Sequence, residues 1–236
     1  MGNTQRIHIL FLLTALLYGF NSCTDKNPQS KLSPVSHDSI LSPKLLNSER
    51  IKMKFGSYDI QVLNKNSKLR VSDLYSLHGD KKITRTFAVV RYPEIIDSMF
   101  LKEHAKILEG QSIGKVFKQG QWKIEKKSFF LGEIMPSSDY ISIYKLMGNI
   151  APSKLAIYTY GFHIRKDNRN YQYATISEVY HPDYLTLNDL KKMNENADKY
   201  LDKTAFSQIL KQVEREMKTN YSKLRTGYNN DSYEKH

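Results

Sequence analysis

Cysteine is nearly absent from this sequence: 236 residues contain one. A single thiol excludes an intramolecular disulfide framework and any Cys-cluster zinc or iron–sulfur site within one chain. A phosphate-binding glycine loop is missing too. Gly110-Gln111-Ser112-Ile113-Gly114 sets two glycines four apart but lacks the full glycine pattern, and a strand rather than a helix is expected to follow. Ser112 has the wrong flanks for a nucleophile elbow. No His-x-x-x-His or Glu-x-x-His pair marks a metal-binding helix. No cofactor is implied. Past the amino terminus, no stretch is long and apolar enough to span a bilayer.

What is present argues for a folded chain. A 40% hydrophobic share with 11% aromatic residues supports a core, and the length suits one domain or at most two. Lys and Arg number 36 against 24 Asp and Glu, a formal charge of +12.

The position of the cysteine is informative. Arg6 precedes an apolar run of twelve residues, Ile9–Phe20, too short for the roughly 20 that a spanning helix needs. A short positive region before a short apolar core is the pattern of a secretory signal peptide. Gly19-Phe20-Asn21-Ser22-Cys23 follows, with a small residue directly before the sole cysteine. This resembles the lipobox of bacterial lipoproteins. The resemblance covers residues 1–23 and implies that Cys23 becomes the lipidated first residue of the mature chain. It also implies a bacterial cell-envelope location on the exported side of a membrane, reached through acyl chains. Ordinary secretion with a free thiol is the alternative. Removal of residues 1–22 takes Arg6 and no acid, leaving 35 bases against 24 acids.

Residues 23–52 carry the lipidated cysteine and a stretch rich in Ser, Pro, Asn and Lys that reads as a flexible tether, with leucines near 41 and 45–46 available to dock. Residues 53–221 read as one domain and 222–236 as a polar tail. Tyr58, Ile60 and Val62 alternate with polar residues as a half-buried strand does. Leu69–Tyr75 and Ile83–Val90 continue as strands, the latter central. A helix is expected from Pro93 to a stop at Gly110. Ile113–Phe117 and Trp122–Ile134 suggest a hairpin turning at Lys118–Gln121. A short helix over 139–147 should end at Gly148. Leu155–Ile164 and Tyr171–Tyr180 form the strongest hairpin. Thr186 should cap a helix over 187–196, and Phe206, Ile209, Leu210, Val213 and Met217 mark an amphipathic one. This order predicts an α+β domain, an antiparallel sheet packed against a few helices.

Candidate chemistry gathers where the last strand ends. Glu178, His181 and Asp183 offer an acid–base or metal-assisted set, provided that a bend at Pro182 brings them together. With 166 paired to 171, His163 would lie four rungs from Glu178, roughly 14 Å away and too far for one site. His104 and His78 read as surface or boundary residues. Two features favour binding instead. Tyr158, Tyr160 and Tyr173 share a face of the hairpin, as an aromatic groove would. Lys118, Lys123, Lys126 and Lys127 crowd a segment, 102–127, that holds seven lysines and three glutamates. The expectation is therefore an envelope lipoprotein that binds a protein or an anionic polymer at the membrane surface. The alternative is an envelope hydrolase using His181 with Glu178 or Asp183. Nucleic acid is disfavoured as a partner by export and by the lack of a reading motif.

Overall fold

A computed structural model describes residues 36–136, 141–194 and 203–218. Cys23, the apolar run before it and the polar tail lie outside these residues.

Six strands form one antiparallel sheet: β1 (Asp59–Lys65), β2 (Leu69–His78), β3 (Lys81–Arg91), β4 (Lys123–Ile134), β5 (Leu155–Lys166) and β6 (Arg169–Tyr180). The order is β1-β2-β3-β6-β5-β4. Two three-stranded meanders thus meet through their last strands, Thr86–Arg91 pairing with Tyr180–Thr175. The run Phe87-Ala88-Val89-Val90 is buried throughout, because this central strand is covered on both faces. With its helices, the sheet makes the α+β domain that the sequence predicts.

Between β5 and β6 the chain turns in two residues. Asp167 and Asn168 take φ of 48° and 60°, the left-handed pair of a type I′ turn, whose twist matches that of the strands. Lys166 therefore pairs with Arg169, not with Tyr171. A bulge between Phe162 and His163 then sets Tyr158 opposite Glu178 and His163 opposite Gln172. His163 and Glu178 are six positions apart, roughly 20 Å, farther than the longer loop would place them.

The expected hairpin at 113–134 does not form. Ile113–Gln119 is a helix, α4, and β4 pairs only with β5. Ile113, Val116 and Phe117 stand at i, i+3 and i+4, and the last two are buried against the sheet. The helix also requires Gly114: a Cβ there would meet Leu46 Cδ2 at 2.8 Å. The preceding helix starts later than Pro93. Asp97 Oδ1 accepts a hydrogen bond from Met99 N at 2.9 Å, and a short 3-10 turn, Ser98–Phe100, leads into α3 (Leu101–Leu108). Gly110 follows with φ 115°.

Residues 36–52 are structured. They form α1 (His37–Ile40) and the start of α2 (Asn47–Phe55), and Ile40 and Ile51 enter the core at 1% and 0% exposure. On this face of the sheet α1–α4 join α6 (Leu187–Met193), packing over Tyr158, Tyr160, Phe162, Tyr173 and Ile176. Thr186 caps α6 as expected, its hydroxyl accepting from Asp189 N. The opposite face is covered by α5 (Ile141–Leu146) and α7 (Lys203–Lys218), through Ile143, Met147, Val213 and Met217 against Phe87, Val89, Ile157 and Val179.

One buried cation ties β2 to α3. Arg70 is 1% exposed, donates from Nη1 to the carbonyls of Ile107 (2.9 Å) and Gln111 (2.8 Å), and from Nη2 to Gly110 (3.3 Å). Its Nε donates to Ser72 Oγ at 2.9 Å. The guanidinium is thus a second terminator for the helix, supplying donors to carbonyls that lack intrahelical partners.

Candidate functional site

The strand exit comes first, because the sequence put its chemistry there. His181 N donates to Arg85 O at 3.0 Å, extending the β3–β6 pairing by one residue. The ring is 2% exposed. Asp183 N donates to its Nδ1 at 3.0 Å, so the proton sits on Nε2, which donates to Met147 O at 3.0 Å. Burial, aided by the nearby Arg85 charge, lowers the pKa of the ring and favours this neutral form. The Asp183 carboxylate is 78% exposed and stands 3.9 Å from Nδ1.

Glu178 belongs to the other face of the sheet. Its Oε1 accepts from Asn47 Nδ2 at 2.9 Å and its Oε2 from the Tyr180 hydroxyl at 2.7 Å. Asn47 extends the network, donating to Thr86 Oγ1 at 3.1 Å and accepting from Tyr184 Oη at 2.6 Å. The bend at Pro182 therefore does not bring Glu178 and His181 together. Among the described residues, no three His, Cys, Asp or Glu side chains converge on a metal position.

The tyrosines do not make an exposed groove. Tyr158 and Tyr160 are each 3% exposed and Tyr173 is fully buried, because α2, α4 and α6 cover them. Tyr173 packs against Phe100, Phe117 and Tyr92, and its hydroxyl lies 2.8 Å from His104 Nδ1. His104 is thus a core residue and not a surface one, and burial lowers its pKa. Tyr158 and Tyr160 lie with ring centroids 4.8 Å apart.

The lysines divide. Alternation along β4 turns Lys126 toward the helices with Ile124, while Lys123 and Lys127 point away and are exposed. Lys118, in α4, donates to Glu49 Oε1 at 2.8 Å. The four therefore do not form one patch.

Lys118, Lys126 and Tyr158 meet at a cleft of about 470 Å³. One wall is the loop Pro43–Leu46 with Arg50 of α2, another is Trp122 with β4, and Tyr180 and Asn194 complete it. Its lining includes four cationic side chains, Lys44, Arg50, Lys118 and Lys126, and no carboxylate. Arg50 is only 5% exposed, and two carbonyls fix its orientation: Nε donates to Ile40 O at 2.9 Å and Nη2 to Ser42 O at 2.7 Å. Neither Arg50 nor Lys126 forms an ion pair among the described residues. Lys126 Nζ lies 4.5 Å from the centroid of the Tyr160 ring. Burial lowers its pKa, and the Glu178 charge opposes that shift. Burial raises the Tyr158 phenol to about 12, so it stays protonated, bonded to Ser128 Oγ at 2.8 Å.

Lys44, Arg50, Trp122, Tyr180 and Asn194 were not singled out from the sequence. Arg50 had a signal: Ile40, Leu41, Leu45, Leu46 and Ile51 form an apolar series around it, more than a solvated linker needs. Compared with known proteins, the chain matches no family model and no curated protein.

Proposed function

We propose that the domain is a binding module of a lipid-anchored envelope protein, and that the cleft between α2, α4 and β4 receives an anionic group of its partner. The observation that carries this is the imbalance of the lining: four cations and no carboxylate around about 470 Å³. Lys118 has a counter-charge in Glu49, but Arg50 and Lys126 form no ion pair among the described residues; cations confined together repel one another, and an anion in the cleft relieves that repulsion. The low-dielectric walls concentrate the field on the space between them. Arg50 is already oriented by two carbonyls, so little side-chain freedom is lost on binding. Tyr158 and Trp122 add flat surface with polar edges. An anionic envelope polymer or a phosphorylated or carboxylated partner fits this chemistry better than a neutral one. The hydrolase alternative draws less support, since both ring nitrogens of His181 are engaged in holding the strand exit.

The test is a titration of the mature chain carrying Cys23→Ser with inorganic polyphosphate, against neutral dextran, at low and high salt. Polyphosphate should bind and weaken as salt rises. An Arg50→Met/Lys126→Met double variant should lose most of the affinity, while Lys123→Gln/Lys127→Gln should keep it. Equal losses in the two pairs would show a diffuse surface effect and overturn the proposal.

A further inference from the structure

Beside the cleft lies a smaller, partly open chamber of about 70 Å³, between the sheet and the α2–α4 pair. Its walls are mainly apolar, including Leu74, Ala88, Val90, Phe162 and Ile176. Two of the polar groups that border it are committed elsewhere, Arg70 to three carbonyls and a hydroxyl and Glu178 to Asn47 and Tyr180, while Ser48, Ser112 and Lys126 also reach its edge. Leu46 and Lys126 line both the chamber and the cleft, so the two spaces adjoin along these side chains. The outer space is cationic and the inner one apolar.

We propose that the ligand is a short-chain alkyl anion, with its charged head among Arg50, Lys118 and Lys126 and its apolar end in the chamber behind Leu46. This rests on the reading of the cleft as an anion site and adds the chemistry of the rest of the ligand. The size limits the tail. About 70 Å³ is roughly half of the ~150 Å³ apolar cavity that admits benzene, which suits about three carbons. Leu46 lines both spaces, beside the path of such a tail. It rests in the notch left by Gly114, where a Cβ would come within 2.8 Å of its Cδ2.

Trp122 is the only tryptophan of the chain and lines the cleft, so its fluorescence reports occupancy directly. The mature chain with Cys23→Ser is titrated with inorganic phosphate and then with n-alkyl phosphates from methyl to octyl. Affinity should rise about fourfold per methylene for the first three or so carbons, then level off. Ala88→Leu, which fills the chamber, should abolish the rise and leave inorganic phosphate binding unchanged. Ile113→Ala, which enlarges it, should move the plateau to longer chains, and this second variant keeps the test decisive if Ala88→Leu fails to fold. Phosphate binding with no dependence on chain length would overturn the inner site and leave the cleft standing. The same holds for a rise that persists unchanged in both variants. No response to phosphate or to any ester would remove the anion site as well.

Discussion

Removing Arg70 should destabilise the domain through the carbonyls that it leaves behind. In Arg70→Met the burial cost of a guanidinium disappears, which by itself would be neutral or favourable. Its partners do not disappear. Ile107 O keeps a second donor, the Gly110 amide at 3.1 Å, whereas the carbonyls of Gly110 and Gln111 lose the guanidinium that bonds them. A buried acceptor left unmet costs about 1–3 kcal/mol; Gly110 is half-buried and Gln111 exposed, so water meets part of the need and the loss is about 2 kcal/mol. For a domain of this size that is a fall in Tm of roughly 4–8 °C. Arg70→Lys keeps the charge but not the planar fork that reaches three carbonyls, and should fall between. Arg91→Met, at an exposed position on β3, should change stability by less than about 0.5 kcal/mol. Urea unfolding followed by Trp122 fluorescence measures all four proteins, and hydrogen exchange over 109–116 should show the loosening to be local. An Arg70→Met protein within about 0.5 kcal/mol of the parent would refute the reasoning, because the carbonyls would then be finding donors elsewhere.

Three further outcomes are expected. Metabolic labelling with a palmitate analogue should mark the chain and fail on Cys23→Ala; retained label would remove the lipid anchor. His104 and His181 are neutral and buried, with pKa values lowered in the folded state, so the unfolded chain takes up protons first as pH falls. Stability should be complete above the ordinary histidine pKa of about 6.5 and decline below it toward the folded-state values, and His181→Asn should flatten that decline in pH-dependent melts. The double change D167N/N168G suits the left-handed φ of both turn residues and should raise stability by about 0.5–1 kcal/mol in urea melts.

The strands were legible because each carries a local signature: alternation at Tyr58–Val62, a β-branched run at Ile83–Val90, and two tyrosine-rich arms around a polar turn. Ile113–Phe117 failed for want of length, since five residues with Ile, Val and Phe fit either period and only burial decides. The register of the last hairpin failed because a two-residue and a four-residue loop have the same flanking pattern. The larger miss at the site has one physical origin. Ser36–Lys52 has the composition of a linker, so the tyrosine face beneath it looked open. With α1 and α2 in place, the tyrosine face is buried, and of its three predicted members only Tyr158 lines the cleft. Arg50, from a segment with the composition of a tether, joins Lys126 in the wall of the cleft. Covering helices far apart in sequence from the sheet that they cover leave no periodic trace of that contact.

The meander topology leaves β1 and β4 as the two borders of an open sheet. Bare borders invite extended peptides to add themselves as another strand. Both are poor templates here. Along β4, Lys123, Glu125 and Lys127 project on the outward face, and the pairing shifts between Ser128 and Phe130; β1 ends in Asn64-Lys65 with its own shift after Val62. Two of the lysines that suggested a docking patch thus act against docking, by keeping neighbouring chains from continuing the sheet. Neither border therefore favours the addition of a peptide through its backbone.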